Sequence, residues 1–365
     1  METRIRQTLA ALFDNDVATR AGLKNLGGHA SLRIYWRITL PDDLTPPRAY
    51  PRGESTLMAM VLPEGVDPLK SAEGSSSKAA RPKELPFVDV QRFLANLGMP
   101  VPAIDVVDMP RGVLLLEDLG DELFEDAVLV AGDKKGRRKI YGEAIDLLIH
   151  FQSAVLNHPE SKPGQTIAFE RSFDAELLRW ELDHYLEWGL HAQLGEQTVA
   201  PFEDTLTAGF ERIVDELLDL KQTLVLRDFQ SRNIMRKQGN WILIDFQDAL
   251  LGPFIYDLVA LLRDSYIDLA PDEVEVLLGD YIDAGAEAGL PWCDDARGVR
   301  RAFYLQTVQR KLKDAGRFIY IDRVKENPSF LDYYGPSVQY VRDALEHLDD
   351  FEDFAGVLAE VEPAF

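Results

Sequence analysis

The stretch Leu226–Ala249, LRDFQSRNIMRKQGNWILIDFQDA, decides how this chain is read. The apolar run TLVL, Thr223–Leu226, leads into Asp228, and Asn233 lies five residues on. A second run, WILID, delivers Asp245 twelve residues after Asn233. Two strands joined by the tight KQGN turn return Asp245 beside the loop that carries Asp228 and Asn233. Three hard oxygen donors then share one cleft. That suits Mg²⁺, which takes one or two carboxylates plus phosphate oxygens and water. A carboxylate left over beside the metal can orient and deprotonate a substrate hydroxyl. One Asp in a strand-end turn is more often an ordinary cap, but all three at this spacing form a far more specific signal.

The surroundings of this stretch are those of a globular protein. The chain has 365 residues, 46% hydrophobic and 28% charged, enough for one large or two medium domains with buried cores. No apolar run approaches the roughly 18 residues of a membrane span, and the first thirty residues mix both charge signs. The only cysteine, Cys293, has no internal disulfide partner, so a cytoplasmic setting is expected. A net charge of −23 repels phosphate backbones and argues against nucleic acid as a partner. It favours a cationic small molecule without forbidding a nucleotide, because bound Mg²⁺ offsets phosphate charge. The one basic cluster, KKGRRK at Lys134–Lys139, reads as a solvated turn between helical segments.

The texture changes once along the chain. ETRIRQTLAALF places Ile5, Leu9, Leu12 and Phe13 at helical spacing. LKNLGGHASLRIYWRITL then reads as strand, glycine turn, strand, and TLMAMVL, AIDVV and GVLLLEDLG as further strands. Pro63–Pro86 is rich in Pro, Gly, Ser and charge and reads as a mobile surface insertion. FVDVQRFLANLG gathers Phe87, Val90, Phe93, Leu94 and Leu97 on one helical face and stops at Gly98. From about Asp121 onward, long helical periodicities dominate. The expectation is an α+β chain of two lobes: residues 1–118 β-rich with one main helix, residues 119–365 larger and mostly helical.

The D-x₄-N spacing followed by a strand-ending D-F is the pattern of the kinase catalytic loop and metal-binding Asp. Together with GPFIYDLVALLRDSY and the later QRKLK, the opening stretch resembles the aminoglycoside phosphotransferase and choline kinase family. Within it, the chain looks most like the bacterial N-acetylmuramate/N-acetylglucosamine anomeric kinases of cell-wall recycling. The resemblance extends upstream through GMPVPAIDVVDMPRGVLLLEDLGDELFED and covers most of the chain apart from Pro63–Pro86. It implies a bilobal protein-kinase-like fold with ATP as co-substrate, Mg²⁺ as cofactor and a small-molecule sugar as substrate. A monomer with no nucleic-acid or membrane partner is expected.

Carried over by position, the resemblance implies that Asp228 is the catalytic base and that Asn233 and Asp245 hold Mg²⁺. Gly27, Gly28 and Ser31 would lie over the nucleotide phosphates, although Gly27-Gly28 alone reads as a simple hairpin turn. Backbone groups near Glu117 and Leu119 would meet the adenine. Arg227 and Asp257 would support the catalytic loop, Asp257 by accepting backbone hydrogen bonds. The chain departs from the family's kin in three ways. Leu226 stands where many kinase-fold proteins have histidine, and Gln230 stands at the loop histidine of antibiotic kinases. TLMAMVL also lacks a phosphate-pairing lysine, for which Arg33 or Arg37 could substitute.

For the acceptor, FYLQTVQRKLKDAGRF sets Gln306, Arg310 and Lys313 on one helical face. That face either pairs with neighbouring carboxylates or forms an anion-recognising wall, in which Arg310 would fork onto the lactyl carboxylate of N-acetylmuramate. Asp248 and Asp264 could accept sugar hydroxyls. The expected reaction is phosphorylation of the anomeric hydroxyl of N-acetylmuramate, N-acetylglucosamine or both. An aminoglycoside- or choline-type kinase and a non-catalytic nucleotide-binding protein are the alternatives.

Overall fold

The computed structural model describes residues 1–27, 33–44, 50, 53–65, 69 and 82–365. Gly28, Ser31 and most of the expected insertion at Pro63–Pro86 lie outside the described residues. Helices α1 (Glu2–Leu12) and α2 (Asn15–Arg20) precede an antiparallel sheet of β1 (Gly22–Gly27), β2 (Ile34–Thr39), β3 (Thr56–Val61), β4 (Ile104–Asp108) and β5 (Val113–Glu117). Its strand order is β1-β2-β3-β5-β4.

Strand alternation splits the sheet's side chains between two cores. Leu57, Ala59, Val61, Val113 and Leu115 pack beside Ile5 and Leu9 of α1. Met60, Leu114 and Leu116 face the other way, into the core that contains α3 (Pro86–Asn96). Helix α3 starts with Pro86 in its first turn, where the missing N–H costs nothing, and ends before Gly98 at φ +77°. Its buried residues include Phe87, Val90, Phe93 and Leu94, the face the periodicity marks.

The remainder is mostly helical, and the fold is the α+β, bilobal, protein-kinase-like one that the motif implies. Helices α4 (Phe124–Ala131), α5 (Lys134–Asn157) and α6 (Ala175–His184) are followed by a π-helical turn at Tyr185–His191. Two single turns, α7 (Ala192–Leu194) and α8 (Glu196–Val199), lead to α9 (Glu203–Asp219). Short strands β6 (Gln222–Val225), β7 (Ile234–Lys237), β8 (Asn240–Leu243) and β9 (Leu250–Pro253) come next. They precede α10 (Tyr256–Leu262), α11 (Pro271–Glu287), α12 (Ala296–Lys325), α13 (Tyr334–Leu345) and α14 (Glu352–Val361). Helix α12, 30 residues long, spans about 45 Å and runs against α6, α10 and α13.

The basic cluster is not the turn the sequence suggests. Asp133 caps α5 and draws Lys134–Lys139 into its first turns, where Lys134, Arg137 and Arg138 pair with Asp272, Glu273 and Asp280 of α11. The acidic partners sit 136 to 142 residues downstream, so local reading could not supply them.

Candidate active site

Strand β6 pairs with β9 and runs straight into the catalytic loop. Leu226 is buried, and its backbone N–H donates to Asp257 Oδ2 at 2.7 Å. The Arg227 N–H donates to Asp257 Oδ1 at 3.0 Å. Asp257 stands in the first turn of α10 and is itself buried. Burial pushes its carboxyl up to about 7, against the two N–H donors, which favour the ionised form. Arg227 sits at φ +73°, a region that costs a non-glycine residue about 1–3 kcal/mol. Three further contacts fix it there. Its carbonyl accepts from Arg310 Nη1 at 3.0 Å, its Nη2 reaches Glu181 at 3.3 Å, and its guanidinium lies over Phe173. The clamp turns the next side chain, Asp228, outward to about one-third exposure.

Asn233 closes the loop from the other side. Its Nδ2 donates to the Asp228 carbonyl at 3.0 Å, and its own carbonyl accepts from the Ile244 N–H at 3.0 Å. The hairpin between them turns at Gln238 and Gly239, φ +51° and +85°, with Lys237 opposite Asn240. Two successive positive φ values are what a two-residue hairpin of right-handed twist requires. The strand exit places Asp245 at φ +59°, exposed on the cleft, with Oδ1 accepting from Gln247 Nε2 at 2.8 Å. Gln247 also donates to Asp248 at 3.0 Å. Phe246 turns inward and stacks on Phe87 of α3, ring centroids 5.1 Å apart.

The donor set fits a hard cation. The Asn233 amide nitrogen is spent on Asp228, which leaves Oδ1 as the end available to a ligand. Surrounding protein, and after it the charge on Asp228, hold the Asp245 carboxyl above its ordinary range, a repulsion that a divalent cation would relieve. Among the described residues no three His, Cys, Asp or Glu side chains converge as a metal cage. Mg²⁺ does not need one when phosphate oxygens and water complete its shell.

The two arginines considered in place of the missing lysine differ in their surroundings. Arg37 is committed to the segment after β5. It pairs with Asp118 at 2.8 Å and Asp121 at 2.9 Å and donates to the Gly120 carbonyl. Arg33, at the entry to β2, lies near Tyr35, and its charge opposes without overcoming the upward push on the Asp245 carboxyl. Glu117 ends β5 with its side chain engaged by the Ala103 N–H and by Lys237 of β7. Leu119 is buried just beyond it.

Three acceptor assignments made from the sequence are corrected. Asp264 is 3% exposed, and its two oxygens accept the N–H groups of Ser231 and Tyr266, so it braces the loop and is not free for a sugar. Gln306 is fully buried against Gln309, which in turn donates to Glu181. Arg310 is not a free fork. It is 4% exposed, bonded to the Arg227 carbonyl, 3.7 Å from Asp228 and stacked over Tyr256. Asp248 remains at the cleft beside Gln247. Glu181 and Gln309 also belong to the loop's support, and an acid among Leu177, Leu178 and Leu182 on the buried face of α6 is the sequence signal for it.

A strained loop aimed by buried carboxylates, with an Asn–Asp pair across from it, is the apparatus of a kinase-like phosphotransferase. The chain belongs to the phosphotransferase enzyme family, whose pattern matches residues 69–294. It is 31% identical over 281 residues to the N-acetylmuramate/N-acetylglucosamine kinase of Pseudomonas putida, covering 76% of this chain and 78% of that one. The protein of the same name in Pseudomonas aeruginosa is 31% identical over 280 residues, 76% and 78% of the two chains. Among solved structures, a choline kinase from Cryptosporidium parvum aligns over the full length of both chains with a TM-score of 0.60 at 12% identity, a likeness of fold. Among the described residues, no helix is long and apolar enough to cross a membrane.

Proposed function

We propose that this chain transfers the γ-phosphoryl group of ATP to the anomeric hydroxyl of N-acetylmuramate, N-acetylglucosamine or both, giving the sugar 1-phosphate. The observation that carries the reading is the loop itself. Asp228 is turned to the cleft by a backbone held at Asp257, Arg310 and Asn233, beside an exposed Asp245. The names of relatives at 31% identity support the sugar as acceptor.

Asp228 accepts the proton as the hydroxyl oxygen attacks phosphorus and the bond to the β-phosphate oxygen breaks. Asn233 Oδ1 and the Asp245 carboxylate would hold Mg²⁺, which when bound neutralises charge on the β- and γ-oxygens. Arg33 supports the phosphates from the N-lobe, in the role the missing lysine plays elsewhere. Backbone groups around Glu117 and Leu119 receive the adenine, and Gly27 at the end of β1 lies towards the phosphates. The catalytic work is positioning and charge stabilisation. A single cysteine supports a cytoplasmic setting.

ADP release from Mg²⁺-ATP tests this, with N-acetylmuramate, N-acetylglucosamine, simple hexoses, choline and an aminoglycoside as acceptors. Turnover of an N-acetylated sugar to a product without a reducing end, lost in Asp228→Asn, is expected. Turnover of amines alone would move the assignment to an antibiotic- or choline-type kinase. ATP binding with no Asp228-dependent turnover would make the chain a nucleotide-binding protein.

A further inference from the structure

The segment that leads into α6 carries a buried cation outside the phosphoryl-transfer machinery described so far. Arg171 follows the 3₁₀ turn at Ile167–Glu170 and is 5% exposed. Its backbone is pinned on two sides. Ahead of it, the Asp89 carboxylate of α3 accepts from the Thr166 hydroxyl and from the Ile167 N–H. At Arg171 itself, the carbonyl accepts from the Leu251 N–H of β9 at 2.9 Å, and the Phe173 N–H donates to the Leu251 carbonyl at 2.8 Å. The side chain therefore leaves a fixed base beside β9, the strand that follows the turn carrying Asp245 and Asp248.

Among the described residues, only one of the three guanidinium nitrogens has a partner. Nη1 donates to the Gln247 carbonyl at 3.1 Å, whereas Nε and Nη2 are buried and donate to nothing. Burial pushes the guanidinium down from its ordinary value, and the charges of Asp248 and Asp89 oppose that push without overcoming it. A buried cation with two idle donors weakens the folded state, since each unmet N–H gives up water without a replacement. Its one bond leads to the metal-binding turn. Gln247 is also 5% exposed, and its Nε2 donates to Asp245 Oδ1 at 2.8 Å and to Asp248 Oδ2 at 3.0 Å. One amide thus holds two carboxylates whose like charges push them apart. Asp245 stands at φ +59°, so its backbone is strained where the amide grips its side chain.

We propose that Arg171 is a positioning residue for the metal, fixing the Gln247 backbone and, through it, the amide that aims Asp245 at the cation. Groups that orient a metal ligand typically change affinity by about 10–100-fold when removed. At 5% exposure Arg171 has almost no surface to offer nucleotide or acceptor, so its effect runs through Asp245.

The proposal rests on Asp245 as a metal ligand and not on the choice of sugar, and metal binding is its readout. Free Mn²⁺ is measured by electron paramagnetic resonance in the presence of ADP, for wild type, Arg171→Met, Arg171→Lys, Gln247→Leu and the Arg171→Met/Gln247→Leu double variant. Thermal unfolding of each is followed without metal. Arg171→Met is expected to raise the Mn²⁺ dissociation constant about tenfold, while Tm stays level or rises because the buried charge and its idle donors are gone. Arg171→Lys still offers the Gln247 carbonyl a donor and should recover most of the affinity. Gln247→Leu should weaken Mn²⁺ to a similar degree, with the double variant no weaker than Gln247→Leu alone. An unchanged constant in Arg171→Met would overturn the proposal. So would a raised constant that comes with a lower Tm and is not recovered by lysine, the mark of a structural role only. Additive losses in the double variant would overturn the route through Gln247. A wild type that binds no Mn²⁺ would refute the metal site and the proposal together, whereas Mn²⁺ binding without sugar turnover would refute the acceptor and leave the positioning role standing.

Discussion

Replacing Asp257 by Asn isolates what the catalytic loop owes to its buried brace. The carboxylate accepts from the Leu226 and Arg227 N–H groups at 2.7 and 3.0 Å. An asparagine keeps the size but offers one oxygen and one NH₂, so one backbone N–H meets a donor. The loss is one charge-assisted hydrogen bond, about 1.5–3 kcal/mol, and it falls on a residue whose φ of +73° already stores about 1–3 kcal/mol. The two quantities are similar, so the brace is what keeps Arg227 in that conformation and Asp228 turned outward. Were about 2 kcal/mol of this felt only in the reacting geometry, kcat would fall about 30-fold with little change in KM for ATP. Coupled ADP release gives both constants, and chemical denaturation gives the global stability. A kcat within about twofold of wild type, alongside a clear loss of stability, would refute the reasoning by showing that Asp257 holds the fold and not the base.

Three other outcomes are expected. Cys293 is buried and its thiol is pushed up to about 12 by that burial, so it should resist Ellman's reagent at pH 8 until the chain is unfolded. Asp314 is disfavoured as an anion by burial but held below the ordinary carboxylate range by Lys311, Lys313 and Arg310. Its stabilising contribution is therefore complete above the unfolded value near about 4 and lost as pH falls below it, so Asp314→Asn should be less stable at pH 7, with the gap closing towards pH 2 in denaturant titrations. Gly316→Ala should lower stability by about 1–3 kcal/mol, because the added methyl meets backbone of Tyr185, which cannot swing aside; an unchanged Tm would contradict the close helix approach.

The parts of the site that were legible in the sequence are those whose chemistry is local. Asp228, Asn233 and Asp245 sit at strand ends within twenty residues, and short strands with a KQGN turn leave few ways to arrange them. The two sheet faces and the α3 stripe follow from period-two and period-3.6 apolar spacing, the strongest pattern a sequence carries. Helix α12 defeats the same logic. Its buried residues include Gln306, Gln309, Arg310 and Lys311, so the inward face is as polar as an outward one, and periodicity cannot say whether such a stripe meets ligand or protein. Asp264 misled for a related reason, since its partners are backbone N–H groups that no residue type advertises. The basic segment at Lys134–Lys139 needed acids from another helix to be understood.

Lys237 joins the two lobes in a way that bears on timing. From the β7 end of the hairpin it pairs with Glu54 at 2.6 Å, just ahead of β3, and with Glu117 at 2.8 Å, at the end of β5. All three side chains are partly open to solvent, so dissolved ions weaken the pair. Separation of the lobes must stretch this clasp, whereas proton transfer at Asp228 does not touch it. Raised ionic strength is therefore expected to speed opening of the crease between the lobes and the exchange of its contents more than it alters the chemical step.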